Sequence, residues 1–300
     1  MTELELVLDA KAKLGEGPSW DAEAGRLFWV DIEGFGLHAY DPQTGEDTVY
    51  DIGQHIGAVV PYEKERVIVA LREGYHVYNL NTGELELIHD PEESRKDNRF
   101  NDGKCDPAGR FWAGTMSLEG KDKQGALYCL EDGEVSTVFT EVSTSNGLGW
   151  SPDHKTMYYI DTPTGKVDRL DYDEKTGELS NRRTAVDFPE NVGFPDGMTV
   201  DAEGMIWIAH WGGSQVSRWN PDTGKMLSRI EIPAEQVTCC CFGGQDLDEL
   251  YITTARNGLS AEQLKKTPHA GGLFRIKPGV KGMPTFRYKQ KLFRIYDESL

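Results

Sequence analysis

Short runs of aromatic and β-branched residues recur along the chain, and each is followed by a polar turn that contains glycine. Such runs are typical of β-strands, and long stretches with a helical period of 3.6 residues are almost absent. The six runs begin at Leu27, Val67, Phe111, Met157, Ile206 and Leu250. The pattern therefore predicts an all-β protein.

The turns that close these units repeat at a nearly constant interval. Successive closing glycines are 38 to 55 residues apart and stand at Gly45, Gly83, Gly133, Gly177, Gly224 and Gly279. Repeats of 40 to 50 residues with several strands each are typical of propeller blades. We therefore predict a six-bladed β-propeller with four-stranded blades. A two-sheet sandwich is the alternative, but it gives no reason for six repeats.

The ends of the chain are expected to close this ring. The alternating segment 3–8 is predicted to pair with C-terminal strands such as 286–288, so that both ends of the chain build the last blade. The whole chain, 1–300, is interpreted as one propeller domain, with 290–300 as a peripheral tail. Two inserts interrupt the repeat: 91–98, a charged surface loop, and 256–269, which is predicted to hold a short helix at 261–265.

A second repeat marks the start of four blades. It places an acid or amide residue directly before glycine, at Glu16-Gly17, Asp102-Gly103, Asn146-Gly147 and Asp196-Gly197. The first strand of each blade lines the central channel, so Glu16, Asn146 and Asp196 should converge at one mouth. Crowded carboxylates repel unless a proton or a cation intervenes, and a hard divalent ion prefers such oxygen ligands. By strand alternation, Asp102 is expected to point away from the channel.

Amino-acid composition narrows the classes of binding partner that the protein is expected to have. The 50 acidic and 32 basic residues give a net charge of −18, which disfavours nucleic acid and membrane surfaces as partners. The N-terminus lacks the features of a secretory signal, so we expect a cytoplasmic protein whose cysteines, including the run 239–241, are buried reduced thiols. The histidines lack metal-ligand spacing, and His210 is expected to be packed in the interior.

Several motifs resemble those of the gluconolactonase family that includes regucalcin. They begin at Leu14, Arg99, Ser145, Phe194, Cys240 and Ala270, so the likeness covers roughly residues 5–288. The resemblance implies a six-bladed propeller that hydrolyses sugar lactones with a divalent metal in its channel. The family's metal ligands match Glu16, Asn146 and Asp196, and its substrate-contacting residues match Arg99, Asn101 and Glu119. The segment after Glu119 is shorter than the lid loop of the animal members.

This interpretation assigns a role to each site residue. The metal polarises the lactone carbonyl, and Asp196 serves as general base, with Glu16 as the alternative base. Arg99, Asn101 and Glu119 hydrogen-bond the sugar hydroxyls. Ca²⁺ is the expected ion, while Zn²⁺, Mn²⁺ and Mg²⁺ remain open. Two other functions remain open as well: a metal-dependent phosphotriesterase of the same fold, and a calcium-binding propeller without catalytic activity.

Overall fold

The computed structural model describes residues 3–292 of the 300-residue chain. It contains six antiparallel sheets of four strands each, arranged as the blades of a propeller. In five sheets the four strands follow each other in sequence order, and the sixth combines strands from both ends of the chain. The prediction of a six-bladed β-propeller is therefore confirmed.

The first three blades follow one another along the chain. Blade 1 consists of β2 (Gly15–Asp21), β3 (Arg26–Asp31), β4 (Gly36–Asp41) and β5 (Glu46–Asp51). Blade 2 consists of β6 (Ile56–Glu63), β7 (Arg66–Leu71), β8 (Gly74–Asn79) and β9 (Leu85–His89). Blade 3 consists of β10 (Asn98–Cys105), β11 (Phe111–Ser117), β12 (Gly125–Glu131) and β13 (Glu134–Val142).

The remaining blades complete the ring. Blade 4 consists of β14 (Ser145–Trp150), β15 (Thr156–Asp161), β16 (Lys166–Tyr172) and β17 (Leu179–Asp187). Blade 5 consists of β18 (Phe194–Val200), β19 (Ile206–Trp211), β20 (Gln215–Asn220) and β21 (Lys225–Glu231). Blade 6 consists of β22 (Gln236–Gly243), β23 (Glu249–Ala255), β24 (Leu273–Ile276) and β1 (Glu5–Leu8).

Helical structure is confined to two short segments of the described chain. The helix α1 (Ala261–Lys266) lies in the predicted insert, and its Ser260 and Gln263 cap each other's backbone N–H groups. A 3₁₀ turn covers Thr162–Thr164 in the connection between β15 and β16. No helix of the described residues is long and apolar enough to cross a membrane.

Both chain ends contribute to closing the ring, but the predicted partner strand was wrong. β1 pairs with β24, with Glu5 opposite Arg275 and Leu6 opposite Phe274. The predicted segment 286–288 instead crosses the face of the propeller, where the Tyr288 N–H donates to the carbonyl oxygen of Pro61 at 2.9 Å. β24 takes the place beside β1 because it already pairs with β23 and presents its other edge.

The C-terminal segment lies across one end of the channel. Met283 to Phe286 line a cavity of about 50 Å³ together with residues of all six innermost strands. None of the predicted site residues lines this cavity, which lies at the end opposite to them. Gln290 and Lys291 of the predicted tail hydrogen-bond to blade 3, and residues 293–300 lie outside the described part of the chain.

The apolar core lies between the blades. Within residues 3–292 there are six buried clusters, and each lies mainly between two neighbouring blades. Aromatic pairs cross these boundaries, as between Trp112 and Trp150, whose ring centroids are 6.0 Å apart, and between Trp207 and Phe242, at 5.9 Å. Large aromatic rings bury much apolar surface, so these pairs contribute strongly to the packing between neighbouring blades. All five cysteines are buried and free, as predicted.

Every innermost strand is bulged at the same level. The register with the second strand slips by one residue near Gly17, Gly57, Asn101, Gly147, Gly197 and Thr238. A bulge adds one residue to one strand and interrupts the regular alternation of side chains. Side chains on both sides of the bulge can therefore face the channel, which simple alternation does not allow.

Candidate metal centre and active site

The three predicted ligands converge from three different blades. Glu16 of β2, Asn146 of β14 and Asp196 of β18 all lie near the first residue of their strand, at the same end of the channel, and all are buried. A side chain at position 147 would crowd the neighbouring strand, because a Cβ there would approach the Asp196 carbonyl oxygen to 2.8 Å. Gly147 and Gly197 therefore let neighbouring strands approach each other closely, whereas Gly17 is required by its positive φ of 51°.

The two carboxyl groups share one buried environment. Burial raises the pKa of Glu16 well above its ordinary value, and the charges of Asp196 and Asp102 raise it further. Burial also raises the pKa of Asp196, with the charge of Asp102 adding to the effect. Hydrogen bonds from the Asn146 side chain and the Gly197 N–H oppose the shift at Asp196. A cation bound between the two carboxyl groups would offset their repulsion and favour the ionised form of both.

Asp102 belongs to this cluster, which corrects the expectation that it points away. It is buried, its Oδ1 accepts the Gly103 N–H at 2.7 Å, and its charge acts on carboxylates of blades 1 and 5. The reason is the bulge at Asn101, which breaks the alternation between Phe100 and Asp102. Burial raises the pKa of Asp102, while the charge of Lys104 opposes this shift.

The side-chain oxygen of Asn146 fits the role of a cation ligand. Asn146 Nδ2 donates to Thr162 Oγ1 at 3.0 Å, whereas the buried Oδ1 has no hydrogen-bond partner. A buried unpaired amide oxygen is costly unless something accepts its lone pairs. Within the described residues, no three His, Cys, Asp or Glu side chains form a metal-binding group, so a cation held by Glu16 and Asp196 would need a donor of another type, which this amide oxygen can provide. Two carboxylates and an amide oxygen fit a hard divalent cation.

Arg99 and Asn101 lie beside these ligands in fixed positions. Arg99 Nη1 donates to Asn101 Oδ1 at 2.7 Å and to the Phe100 carbonyl oxygen at 3.0 Å. Asn101 Nδ2 in turn donates to the Ser145 carbonyl oxygen at 2.8 Å, which connects blade 3 to blade 4. Burial lowers the pKa of Arg99, and the carboxylates of Glu33, Glu16 and Asp196 oppose this shift. The guanidinium of Arg99 thus lies among acidic side chains at this mouth of the channel.

Two further residues at the mouth were not found from the sequence. Glu33 Oε1 lies 3.9 Å from Arg99 Nε, and Glu33 Oε2 lies 3.4 Å from His55 Nε2. Burial lowers the pKa of His55, and Glu33 opposes this shift. Glu33 is followed by Gly34, but this acid–glycine pair lies in the turn between β3 and β4 and not at the start of a blade. His55 precedes β6 and carries no such pair.

Glu119 is not brought into the cluster. Its side chain is 59% exposed and forms an ion pair with Lys121 at 2.5 Å. It stands on the connection between β11 and β12, which begins at the channel end where Arg99 lies, since Arg99 pairs with Met116. Glu119 therefore occupies the rim, and its contact with substrate stays a prediction.

The loop that leads to Arg99 is anchored by a buried acid rather than lying wholly on the surface. Glu92 is only 4% exposed, and it accepts hydrogen bonds from Asn98 Nδ2 at 2.7 Å, Thr115 Oγ1 at 2.9 Å and Tyr128 OH at 2.8 Å. These donors come from blade 3, so the start of β10 is held in place by this carboxylate. The charged insert 91–98 thus has a buried centre.

Replacing Glu92 by alanine should destabilise the protein and loosen substrate binding. The Tyr128 hydroxyl and one N–H of Asn98 would lose their acceptor, whereas the Thr115 hydroxyl keeps the Ala126 carbonyl oxygen as an alternative. Each unpaired group costs about 1–3 kcal/mol, so we expect the free energy of unfolding to fall by about 2 kcal/mol or more. Urea unfolding measures this loss. Glu93→Ala is the matched control, because the neighbouring Glu93 is exposed and should change stability by less than about 0.5 kcal/mol. Equal losses in both variants would contradict the anchoring role.

Known proteins resemble this chain over nearly its whole length. The putative sugar lactone lactonase YvrE of Bacillus subtilis (strain 168) is 45% identical over 270 residues, covering 90% of this chain and 92% of that protein. Regucalcin of Xenopus laevis is 41% identical over 287 residues, covering 93% and 96%. A crystal structure described as a calcium-binding protein, regucalcin, from Agrobacterium tumefaciens matches with a TM-score of 0.91 at 31% identity, covering 95% and 96%.

The family match includes all the buried residues of the cluster. Residues 14–256 match the SMP-30/Gluconolactonase/LRE-like region, a span that contains Glu16, Asp102, Asn146 and Asp196. The resemblance found in the sequence motifs is therefore confirmed by comparison with whole proteins. On this match and on the similarity to regucalcin and YvrE, the chain belongs to the SMP-30/gluconolactonase/LRE-like family.

Proposed function

We propose that this protein hydrolyses sugar lactones with one divalent cation, most simply Ca²⁺, bound by Glu16, Asn146 and Asp196. The observation that carries the proposal is the buried Asn146 Oδ1, which has no hydrogen-bond partner and lies in a cluster with two buried carboxyl groups. The naming of YvrE as a putative sugar lactone lactonase supports the substrate class, and the description of regucalcin as calcium-binding supports the ion.

A bound cation would supply positive charge that polarises the lactone carbonyl and makes a nearby water more acidic. Asp196 accepts the proton of the attacking water, because it is a carboxylate in the cluster and Asn146 is an amide that cannot take a proton. The water oxygen bonds to the carbonyl carbon and the ring C–O bond breaks. The proton held by Asp196 then passes to the departing ring oxygen, which yields the open hydroxy acid.

Arg99 and the rim residues would bind the sugar hydroxyls. The guanidinium of Arg99 is held on one side by Asn101 and the Phe100 carbonyl, so its orientation is set before the substrate arrives. Such preorganised donors favour substrates that carry hydroxyl groups in matching positions. Asn101 fixes Arg99 to the start of β14, and Glu119 on the rim contacts the exposed end of the substrate.

A substrate panel tests the proposed function. Purified protein with added Ca²⁺ should open glucono-lactone and related aldonolactones, measured by the acid released at constant pH. A simple organophosphate triester is the comparison substrate, because a phosphotriesterase of the same fold would use the same cation on P=O. Faster turnover of the triester would replace lactone hydrolysis as the function. Tight Ca²⁺ binding without turnover of either substrate class would indicate a non-catalytic calcium-binding protein.

A further inference from the structure

Thr162 lies between two of the proposed ligands. It is the first residue of the 3₁₀ turn Thr162–Thr164, which follows β15 in blade 4. Its Oγ1 is 3.0 Å from Asn146 Nδ2 and 2.9 Å from the carbonyl oxygen of Pro195, the residue directly before Asp196 in blade 5. One hydroxyl therefore contacts both the side chain of one ligand and the backbone of another.

The turn that carries this hydroxyl is itself held in place. The Thr162 N–H donates to the Thr144 carbonyl oxygen at 3.1 Å, two residues before Asn146. The Asp161 carboxylate accepts the backbone N–H groups of Ser143 at 3.1 Å and Thr144 at 2.8 Å. Thr162 is thus fixed to the segment that leads into β14, and its position relative to Asn146 is defined by the backbone.

The Thr162 hydroxyl, the Pro195 carbonyl and the Asn146 side-chain amide can hydrogen-bond to one another in only one arrangement of hydrogen atoms. The Pro195 carbonyl oxygen can only accept, so the single hydroxyl proton of Thr162 must be donated to it. The hydroxyl oxygen then has only lone pairs to offer on its other side. The part of Asn146 that faces it must therefore be the NH₂ group. The amide oxygen is consequently turned to the other side, where it is buried and unpartnered.

We infer that Thr162 is a positioning residue that sets the orientation of the Asn146 amide, so that its oxygen rather than its nitrogen is presented to the divalent cation. This inference rests on the proposed function, because it takes the cation as the partner of Asn146 Oδ1. A flipped amide would direct two N–H donors towards the cation, which repels them. The same hydroxyl fixes the Pro195 carbonyl and so couples the positions of Asn146 and Asp196.

Direct cation binding tests this inference without an activity assay. Chelator-stripped protein is titrated with CaCl₂ by calorimetry, and the Ca²⁺-induced rise in melting temperature is measured in parallel. Thr162→Val keeps the shape of the side chain but lacks the hydroxyl, and its Kd for Ca²⁺ should rise by about 10-fold or more, as is usual when a group that orients a metal ligand is lost. Thr162→Ser keeps the hydroxyl and should bind within about 3-fold of the unmodified protein.

A second set of variants, made in the Asn146→Asp protein, distinguishes an effect on the orientation of the amide from a general effect on the cation site. In Asn146→Asp the two side-chain oxygens are equivalent, so orientation no longer decides which atom faces the cation. Adding Thr162→Val to this variant should therefore change the Kd by less than about 3-fold. Thr162→Ala provides a second hydroxyl-free variant, which introduces no methyl group against the amide. It should reproduce the loss seen with valine.

Each outcome has a distinct meaning. If Thr162→Val and Thr162→Ala bind Ca²⁺ as tightly as the unmodified protein, the inference is overturned while the cation site stands. If valine weakens binding equally in the Asn146 and Asn146→Asp backgrounds, the hydroxyl does not act through amide orientation, and the inference is overturned as well. If the unmodified protein binds no Ca²⁺, both the proposed cation site and the role of Thr162 fail.

Discussion

Lactone hydrolysis should fall to the background rate when the protein is treated with EDTA, and Ca²⁺ added in excess should restore it. The physical reason is that Glu16, Asn146 and Asp196 offer three oxygens to a cation but carry no positive group of their own that could polarise a carbonyl. The measurement is the initial rate of acid release from glucono-lactone before chelation, after it and after repletion. Repletion with Mg²⁺, Mn²⁺ and Zn²⁺ in parallel identifies the preferred ion.

The same treatment should lower stability. Glu16, Asp196 and Asp102 are crowded in a buried space, and removal of the cation leaves their repulsion uncompensated. A ligand at 100 times its Kd stabilises the folded state by about 2.7 kcal/mol, and thermal unfolding with and without Ca²⁺ detects a change of this size.

The double variant Glu16→Gln/Asp196→Asn is the control for this experiment. It removes both carboxylate charges, so its melting temperature should not respond to Ca²⁺ or to EDTA. Full activity of the unmodified protein after exhaustive chelation would show that the hydrolysis does not depend on a metal.

Asp196→Asn should lower kcat for lactone hydrolysis by at least about 10²-fold, even at saturating Ca²⁺. Asparagine can still offer an oxygen to the cation, but it cannot accept a proton from the attacking water. The variant therefore separates the two roles proposed for Asp196. Steady-state rates over a range of Ca²⁺ concentrations distinguish a loss of catalysis, which persists at saturation, from a loss of binding, which does not.

The control for Asp196→Asn must lie outside the channel. Asp187→Asn changes an aspartate whose side chain is 80% exposed, and it should leave kcat unchanged. Asp102 cannot serve as an inert control, because it is buried in the same cluster. If Asp196→Asn keeps kcat within about 3-fold at saturating Ca²⁺, the general base is another carboxylate, and Glu16→Gln is then the variant to measure.

The repeat period and the turn glycines were sufficient to predict the number of blades and the all-β class. Each blade buries its faces only against its neighbours, so its strand lengths and turns recur in the sequence with little interference from distant residues. The acid–glycine and amide–glycine pairs predicted the burial of Glu16, Asn146 and Asp196 for the same reason, because the start of the first strand in each blade lies near the axis. Their role as metal ligands stays a prediction.

Other features could not be predicted because they depend on exceptions to local regularity. The bulge at Asn101 brings Asp102 into the channel. No pattern of residues in the sequence predicts such a one-residue slip in register. The partner of β1 is β24 rather than 286–288, since a strand edge becomes available only when the whole sheet has formed. The charged insert 91–98 contains the buried Glu92, and two of its three partners, Thr115 and Tyr128, lie 23 and 36 residues away in the sequence.

By itself, the amino-acid sequence determined the architecture and predicted which oxygen-bearing side chains lie buried near the axis, because periodic burial and glycine-marked turns are local properties of a chain. The tertiary structure alone decided how those donors are oriented and supported. The hydroxyl of Thr162 meets Asn146 and Pro195 only when blades 4 and 5 are packed side by side. Hydrogen bonds depend on distances of about 3 Å between groups far apart in the chain, and such distances exist only after the ring has closed.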